Sequence, residues 1–197
     1  MPNWCNNTLI VEGNVEDLQR IKPLLINEQG EFSFNCAVPQ PENLYREALS
    51  SDKEMELNAK GIPNWYSWNN THWGTKWDAC SAYIDTDNND LFATNLEIRI
   101  NFQTAWSPPA DWLYSFLKKL EGMEVSVQLL YDEPGMDFAG SVVREMDGEV
   151  YEYEGRIYNV DYEGNEVFYD SKTERYRNAK GQFVNEDEVT YEADYGN

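Results

Sequence analysis

The chain has 197 residues, of which 41% are hydrophobic and 14% aromatic, enough apolar material for a domain of this size to bury a real core. Thirty-six acids against 15 Lys and Arg give a net charge of -21, so a phosphate backbone or an anionic lipid surface meets long-range repulsion. Direct nucleic-acid or membrane binding is therefore not expected, and the charge points to basic proteins, cations or neutral ligands as partners.

Thr8 to Glu12 is a short β-branched run ending in Gly13, and it predicts a first strand. Asn14 then occupies an N-cap position, with Glu16 and Asp17 in the first turn and Leu18, Ile21 and Leu25 at helical spacing; Pro23 should kink or end that helix. Phe32, Phe34, Cys36 and Val38 alternate with smaller or polar residues, which predicts a second strand stopped by Pro39 and Pro41. A polar, helix-prone stretch to Lys60 follows. The segment from Ile62 to Ala79 then holds four of the seven tryptophans.

Leu96, Ile98, Ile100 and Phe102 alternate against polar neighbours as the clearest strand in the chain. Ser107-Pro108-Pro109 reads as a helix cap, and Trp112, Leu113, Phe116, Leu117 and Leu120 form an apolar helical stripe that Lys118, Lys119 and Gly122 terminate. Val125, Val127, Leu129 and Tyr131 alternate as the next strand. The order β-α-β, insertion, β-α-β predicts an α+β fold of ferredoxin-like type: a split βαβ antiparallel sheet with two helices on one face. Residues 1–145 are read as that domain, with an insertion over about 40–94, and residues 146–197 as an acidic, β-rich extension of Tyr/Glu-rich hairpins.

Acid is concentrated at the C-terminal end, with 20 acids and 6 bases in residues 121–197 against 16 and 9 in residues 1–120. If residues 149–154 and 157–163 are strands, Glu152 with Glu154 and Asp161 with Glu163 project from single faces at about 6.8 Å spacing. Duplex DNA carries a charge about every 1.7 Å, so several strands would have to lie side by side to imitate it. Glu149, Glu152, Glu154, Asp161, Glu163 and Glu166 are the candidate partner-binding acids, expected to cluster with tyrosines between them. Solubilisation alone is the plain alternative.

Trp65, Trp68, Trp73 and Trp77, with Lys76 and Asp78, are the candidate small-ligand residues, since neighbouring indoles can stack a ring while polar neighbours read its edge. The same residues can instead staple an irregular insertion onto the sheet, with Lys76 contacting Asp78. His72 is the only histidine, which leaves no Ser/His/Asp triad or multi-histidine metal site to build, and no nucleotide-binding loop motif occurs. Asp85 to Asp90 resembles the start of a calcium loop but lacks its glycine and final glutamate; a hairpin at Asn88 and Asn89 fits better. Cys5, Cys36 and Cys80 are odd in number and widely spaced, so a disulfide framework is not expected and a reducing cytoplasm is. No cofactor, no metal and no enzymatic activity are expected.

The segments Met1-Pro2-Asn3-Trp4-Cys5-Asn6-Asn7, Trp73-Gly74-Thr75-Lys76-Trp77-Asp78-Ala79, Thr104-Ala105-Trp106-Ser107-Pro108-Pro109 and Gly135-Met136-Asp137-Phe138-Ala139-Gly140 resemble the YubB-like family of plasmids and phages. The resemblance spans about residues 1–145 and implies a ferredoxin-like domain and a mobile-element setting. It carries over no catalytic or ligand residue. In that setting a small acidic protein is expected to bind a basic host protein, for example a nucleic-acid-binding defence factor, with a nucleotide or other small molecule at the tryptophans as the alternative.

Overall fold

The computed structural model of the chain describes residues 3–85 and 97–196. β1 (Trp4–Gly13) follows the β-branched run, and its alternation puts Leu9 and Val11 at 0% exposure on one face. Asn14 caps α1 (Val15–Leu25) by accepting from the Asp17 amide, and the helix ends two residues past Pro23. β3 (Glu97–Ala105) and β4 (Val125–Glu133) flank β1, both antiparallel to it. α5 (Ala110–Leu117) lies between them in sequence and runs into a short 3₁₀ turn over Lys118–Leu120 before Gly122.

Leu18, Ile21 and Leu25 from α1 and Trp112, Leu113 and Phe116 from α5 join Leu9, Val11, Ile98, Ile100, Val127 and Leu129 in one buried cluster. Both helices therefore cover the same sheet face. Each such side chain contributes about 1.5–3 kcal/mol through burial, which makes this cluster the main source of stability. The opposite face carries Thr8, Asn101, Gln103 and Gln128, half-buried and polar.

Two expectations from the sequence are corrected. Residues 32–38 do not form a strand: α2 (Phe34–Ala37) is a single helical turn, capped by Ser33, with Phe34 and Ala37 buried at i, i+3 spacing. A cap and a distant carboxylate, Asp78, hold that turn, and the alternation of two phenylalanines is too short to tell the two periods apart. The strand beside β3 is instead β2 (Cys80–Ile84), inside the expected insertion, after α3 (Ser51–Ala59) and α4 (Trp65–His72). Ser107 does not cap α5; its hydroxyl donates to the Gly74 carbonyl at 2.6 Å, and Pro109 occupies the cap position without a side-chain bond.

The first sheet has six antiparallel strands in the order β2-β3-β1-β4-β5-β6, with β5 (Phe138–Arg144) and β6 (Val150–Glu154) added beyond β4. β6 lies past residue 145 and still belongs to this sheet. A second, five-stranded antiparallel sheet runs β10-β9-β8-β7-β11. It comprises β7 (Arg156–Val160), β8 (Glu166–Asp170), β9 (Arg175–Asn178), β10 (Phe183–Val184) and β11 (Thr190–Asp194). The fold class is α+β.

One turn device recurs in three places. Asn27, Asp161 and Asn178 each accept, through a side-chain oxygen, from the amides two and four residues on. The fourth residue of each turn is a glycine, Gly30, Gly164 or Gly181, at φ 82, 79 and 77°. A Cβ resists that left-handed geometry, so the pattern Asx-x-x-Gly closes a hairpin from local sequence alone. No helix among the described residues is long and apolar enough to cross a membrane. The expected hairpin at Asn88 and Asn89 and the residues of the calcium-like loop after Asp85 lie outside the described residues.

Candidate binding surfaces

The tryptophan segment begins at Asn64, whose side chain accepts from the Ser67 amide at 2.9 Å and starts α4. One helical turn then brings Trp68 onto His72, stacked at 4.3 Å, with Trp73 edge-on to Trp68 at 5.4 Å. Trp73 is 1% exposed, donates through Nε1 to the Val38 carbonyl at 3.0 Å and packs on Phe34. Trp65 is half-buried and donates to the Glu47 carbonyl at 3.2 Å. Trp77 leans on Trp4 at 6.2 Å, and the Lys76 ammonium sits 4.6 Å from the Trp77 ring centre and 6.0 Å from that of Tyr66.

Asp78 works with different partners from the Lys76 contact read from the sequence. Its carboxylate accepts from Ser33 Oγ at 2.6 Å, the Phe34 amide at 2.8 Å, Asn35 Nδ2 at 3.1 Å and the Ala79 amide at 2.8 Å. It therefore fastens α2 to the start of β2. Beside it opens a cleft of about 650 Å³ lined by Asn27, Glu31, Phe32, Ser33, Ala79, Tyr83 and Ile84, with no tryptophan in its wall. The Cys36 and Cys80 thiols, both half-buried, are held above their usual range by burial and then by the Asp78 charge. Cys5 is fully buried and burial pushes its thiol up to about 12, which leaves it without thiolate character near neutrality. The His72 Nδ1 lies 2.9 Å from the Trp68 carbonyl one helical turn back. No group of three or more His, Cys, Asp or Glu able to hold a metal occurs among the described residues.

The six candidate acids form two groups. Glu149, Glu152 and Glu154 are exposed along β6 and its entry turn, and Glu152 accepts from the Tyr114 hydroxyl of α5. Asp161, Glu163 and Glu166 surround the β7–β8 turn. Asp161 is spent within that turn, where the backbone bond from Asn165 foremost, with further bonds from the Asn165 side chain and the Glu163 amide, holds its carboxyl below the usual range against the opposing effect of burial. Glu163 accepts from Tyr162 at 2.9 Å, and Glu166 pairs with Arg156 at 3.0 Å.

Among the tyrosines of β6 to β11, Tyr158 alone shares a strand face with acids, and its hydroxyl donates to Glu192 at 2.9 Å. On β6, Tyr151 and Tyr153 stack at 6.5 Å on the face opposite Glu152 and Glu154. In the second sheet, strand parity puts Arg156, Tyr158, Glu166, Phe168, Asp170, Arg175, Arg177, Phe183, Glu192 and Asp194 on one face. The other face carries Ile157, Val167, Tyr169, Tyr176, Val184, Tyr191 and Ala193, without a charge. Three basic residues thus offset acid on the charged face, where Arg177 lies 4.0 Å and Arg175 4.8 Å from the Phe183 ring centre.

The seam between the sheets rests on residues that sequence reasoning passed over. Asn6 Nδ2 donates to Asp132 at 2.9 Å and to the Tyr191 hydroxyl at 3.1 Å; Tyr195 donates to the other Asp132 oxygen at 3.2 Å. Burial, and after it the Asp132 charge, push the Tyr195 phenol up to about 12. The spacing of Tyr191, Ala193 and Tyr195 on one strand face was the available signal. Among the described residues of the second sheet only Val160 and Val167 are buried apolar side chains, whereas Phe168, Tyr169, Phe183 and Tyr191 are each at least 44% exposed.

No family model matches the chain, and no curated protein matches it. Among solved structures, the crystal structure of a protein api92 from Yersinia pseudotuberculosis, family-model DUF1281, aligns with a TM-score of 0.48 at 11% identity, covering 78% of this chain and 98% of that one.

Proposed function

We propose that the protein is a non-enzymatic binding protein that engages a basic surface on a partner protein through its acidic C-terminal segment. The observation that carries this reading is the exposure of Tyr151, Phe168, Tyr169, Phe183 and Tyr191 in the stretch where acid is densest. Charge alone is enough to keep a protein soluble; exposed aromatic rings are not needed for that and are the residue type enriched at interface cores. Acids around such rings steer a basic partner toward them. The resemblance of the four motifs to the YubB-like family adds a plasmid or phage setting, with a host protein as the partner.

We also read the β2-β3-β1-β4 order with α1 and α5 as the ferredoxin-like split βαβ arrangement, extended by β5 and β6. Antiparallel pairing of β1 with both β3 and β4 supports it.

The test is affinity capture from host lysate at low and raised salt with three proteins: the unaltered chain, a Glu149→Lys, Glu152→Lys, Glu154→Lys variant, and a Glu163→Lys, Glu166→Lys variant. At least one variant should lose a salt-sensitive partner that the unaltered chain retains. Identical capture by all three, with circular dichroism spectra that match, removes the acidic surface as the interface.

A further inference from the structure

β6 is the last strand of the six-stranded sheet. Its pairing with β5 fixes which backbone groups remain available. The Glu145 amide donates to the Glu149 carbonyl and the Gly155 amide to the Ala139 carbonyl, both at 2.9 Å, in register with the Ser141–Tyr153 and Val143–Tyr151 pairs. In an antiparallel ladder bonded pairs alternate with unbonded ones, so odd residues of β6 bond inward. The N–H and C=O of Val150 and Glu152 therefore point away from β5, and neither makes a backbone bond to another strand among the described residues. Gly196 lies against the Glu154 carbonyl and closes the edge beyond Tyr153.

The side chains along this edge are sorted. Val150, Glu152 and Glu154 face the α5 side and Tyr151 and Tyr153 the other, with Glu149 exposed at the entrance. At the foot of the edge a cleft of about 380 Å³ opens between β6 and α5, lined by Tyr114, Leu117, Lys118, Glu121, Asp147 and Val150.

We propose that the free edge of β6 takes an extended peptide segment with basic residues at alternate positions, added as a further antiparallel or parallel strand. The inference rests on the acidic-surface reading and adds the mode of binding and the chemistry of the segment. Main-chain bonds to Val150 and Glu152 supply register, and basic side chains at alternate positions meet Glu152 and Glu154 on one face, with Glu149 adding negative charge at the entrance. Residues between them lie over the Tyr151 and Tyr153 rings. The occupant is not a second copy of this edge, because its own acids would face Glu152 and Glu154, and like charges directly opposite oppose pairing. A basic strand meets no such barrier.

The probe is the capped peptide Lys-Val-Lys-Tyr-Lys-Val-Lys, titrated by fluorescence anisotropy against the full chain, beside the same peptide N-methylated at alternate backbone nitrogens. The unmethylated peptide should bind and should slow exchange of the Val150 and Glu152 amide protons. Methylation should weaken it at least about tenfold, since it removes the donors that a strand needs. Val150→Pro should weaken it by a similar factor with the charge unchanged, because that nitrogen faces outward and a proline there spares the β5–β6 ladder. Equal binding of both peptides, or unaltered binding by a folded Val150→Pro chain, overturns strand addition and leaves the acidic-surface reading standing. Failure of the unmethylated peptide to bind also overturns it. The methylated peptide tests the same point without altering the protein.

Discussion

The Tyr195 hydroxyl donates to the Asp132 carboxylate at 3.2 Å, across 63 positions of sequence, and ties the end of β11 to the end of β4. Asn6 holds the second oxygen of the same carboxylate, so one aspartate joins the two sheets.

Tyr195 makes stability depend on alkaline pH. Its folded pKa, about 12 through burial and the Asp132 charge, lies above the ordinary tyrosine value of 10.0, so the folded state keeps the proton longer than the unfolded one. The stabilisation is complete below about pH 10 and is lost as pH rises through about 12. Buried Cys5, raised in the same direction from 9.0, adds to the decline. Thermal melts between pH 8 and 12 should show a falling midpoint, and the fall should be shallower in Tyr195→Phe. A slope unchanged by that substitution would assign the effect elsewhere.

Asp78 gathers four donors from residues 33, 34, 35 and 79. Asp78→Ala leaves the Phe34 and Ala79 amides without their acceptor, and the expected loss is about 2–3 kcal/mol in urea unfolding. Asp78→Asn should recover part of it, since one oxygen remains. Unfolding at an unchanged urea midpoint for Asp78→Ala would show that α2 is held by packing alone.

Arg144 is 6% exposed, and its guanidinium donates to the carbonyls of Leu120, Met123, Val125 and Glu145. It closes the α5–β4 connection where the 3₁₀ turn ends, and its charge sits favourably at a helix C-terminus. Arg144→Met keeps much of the side-chain volume but leaves these carbonyls unpaired, and a loss of about 3 kcal/mol is expected. Calorimetry on the two proteins checks it.

Gly74 has φ 75°, and a Cβ there would lie 3.1–3.2 Å from the Asp111 carboxylate and the amides of Ala110 and Asp111. Gly74→Ala combines left-handed strain with crowding against the start of α5, so it should cost about 1–2 kcal/mol. Gly164, at φ 79° with open space around it, should lose less on the same change. Comparing the two urea midpoints separates strain from crowding.

Local signals made much of the molecule legible. β1, β3 and β4 follow from long alternation, α1 from Asn14 and its apolar spacing, the end of α5 from two lysines and Gly122, and the hairpin turns from Asx-x-x-Gly. Periodicity and capping act within a few residues, so a sequence states them directly. Tertiary contacts decided the rest. Phe34 lies in a helical turn because Asp78, 44 positions away, accepts its amide. The tryptophans were visible as a cluster, but only tertiary packing buried Trp73 against Phe34 and Val38 and left Trp77 half-buried between Trp4 and Lys76. The acids and tyrosines of the C-terminal segment are plain in the sequence, yet the sorting of all the strand tyrosines but Tyr158 away from the acids depends on strand register, which is set by which strands pair and where the turns fall. The net charge of -21 belongs to the sequence; the surfaces on which that charge stands beside exposed aromatic rings were decided by the fold.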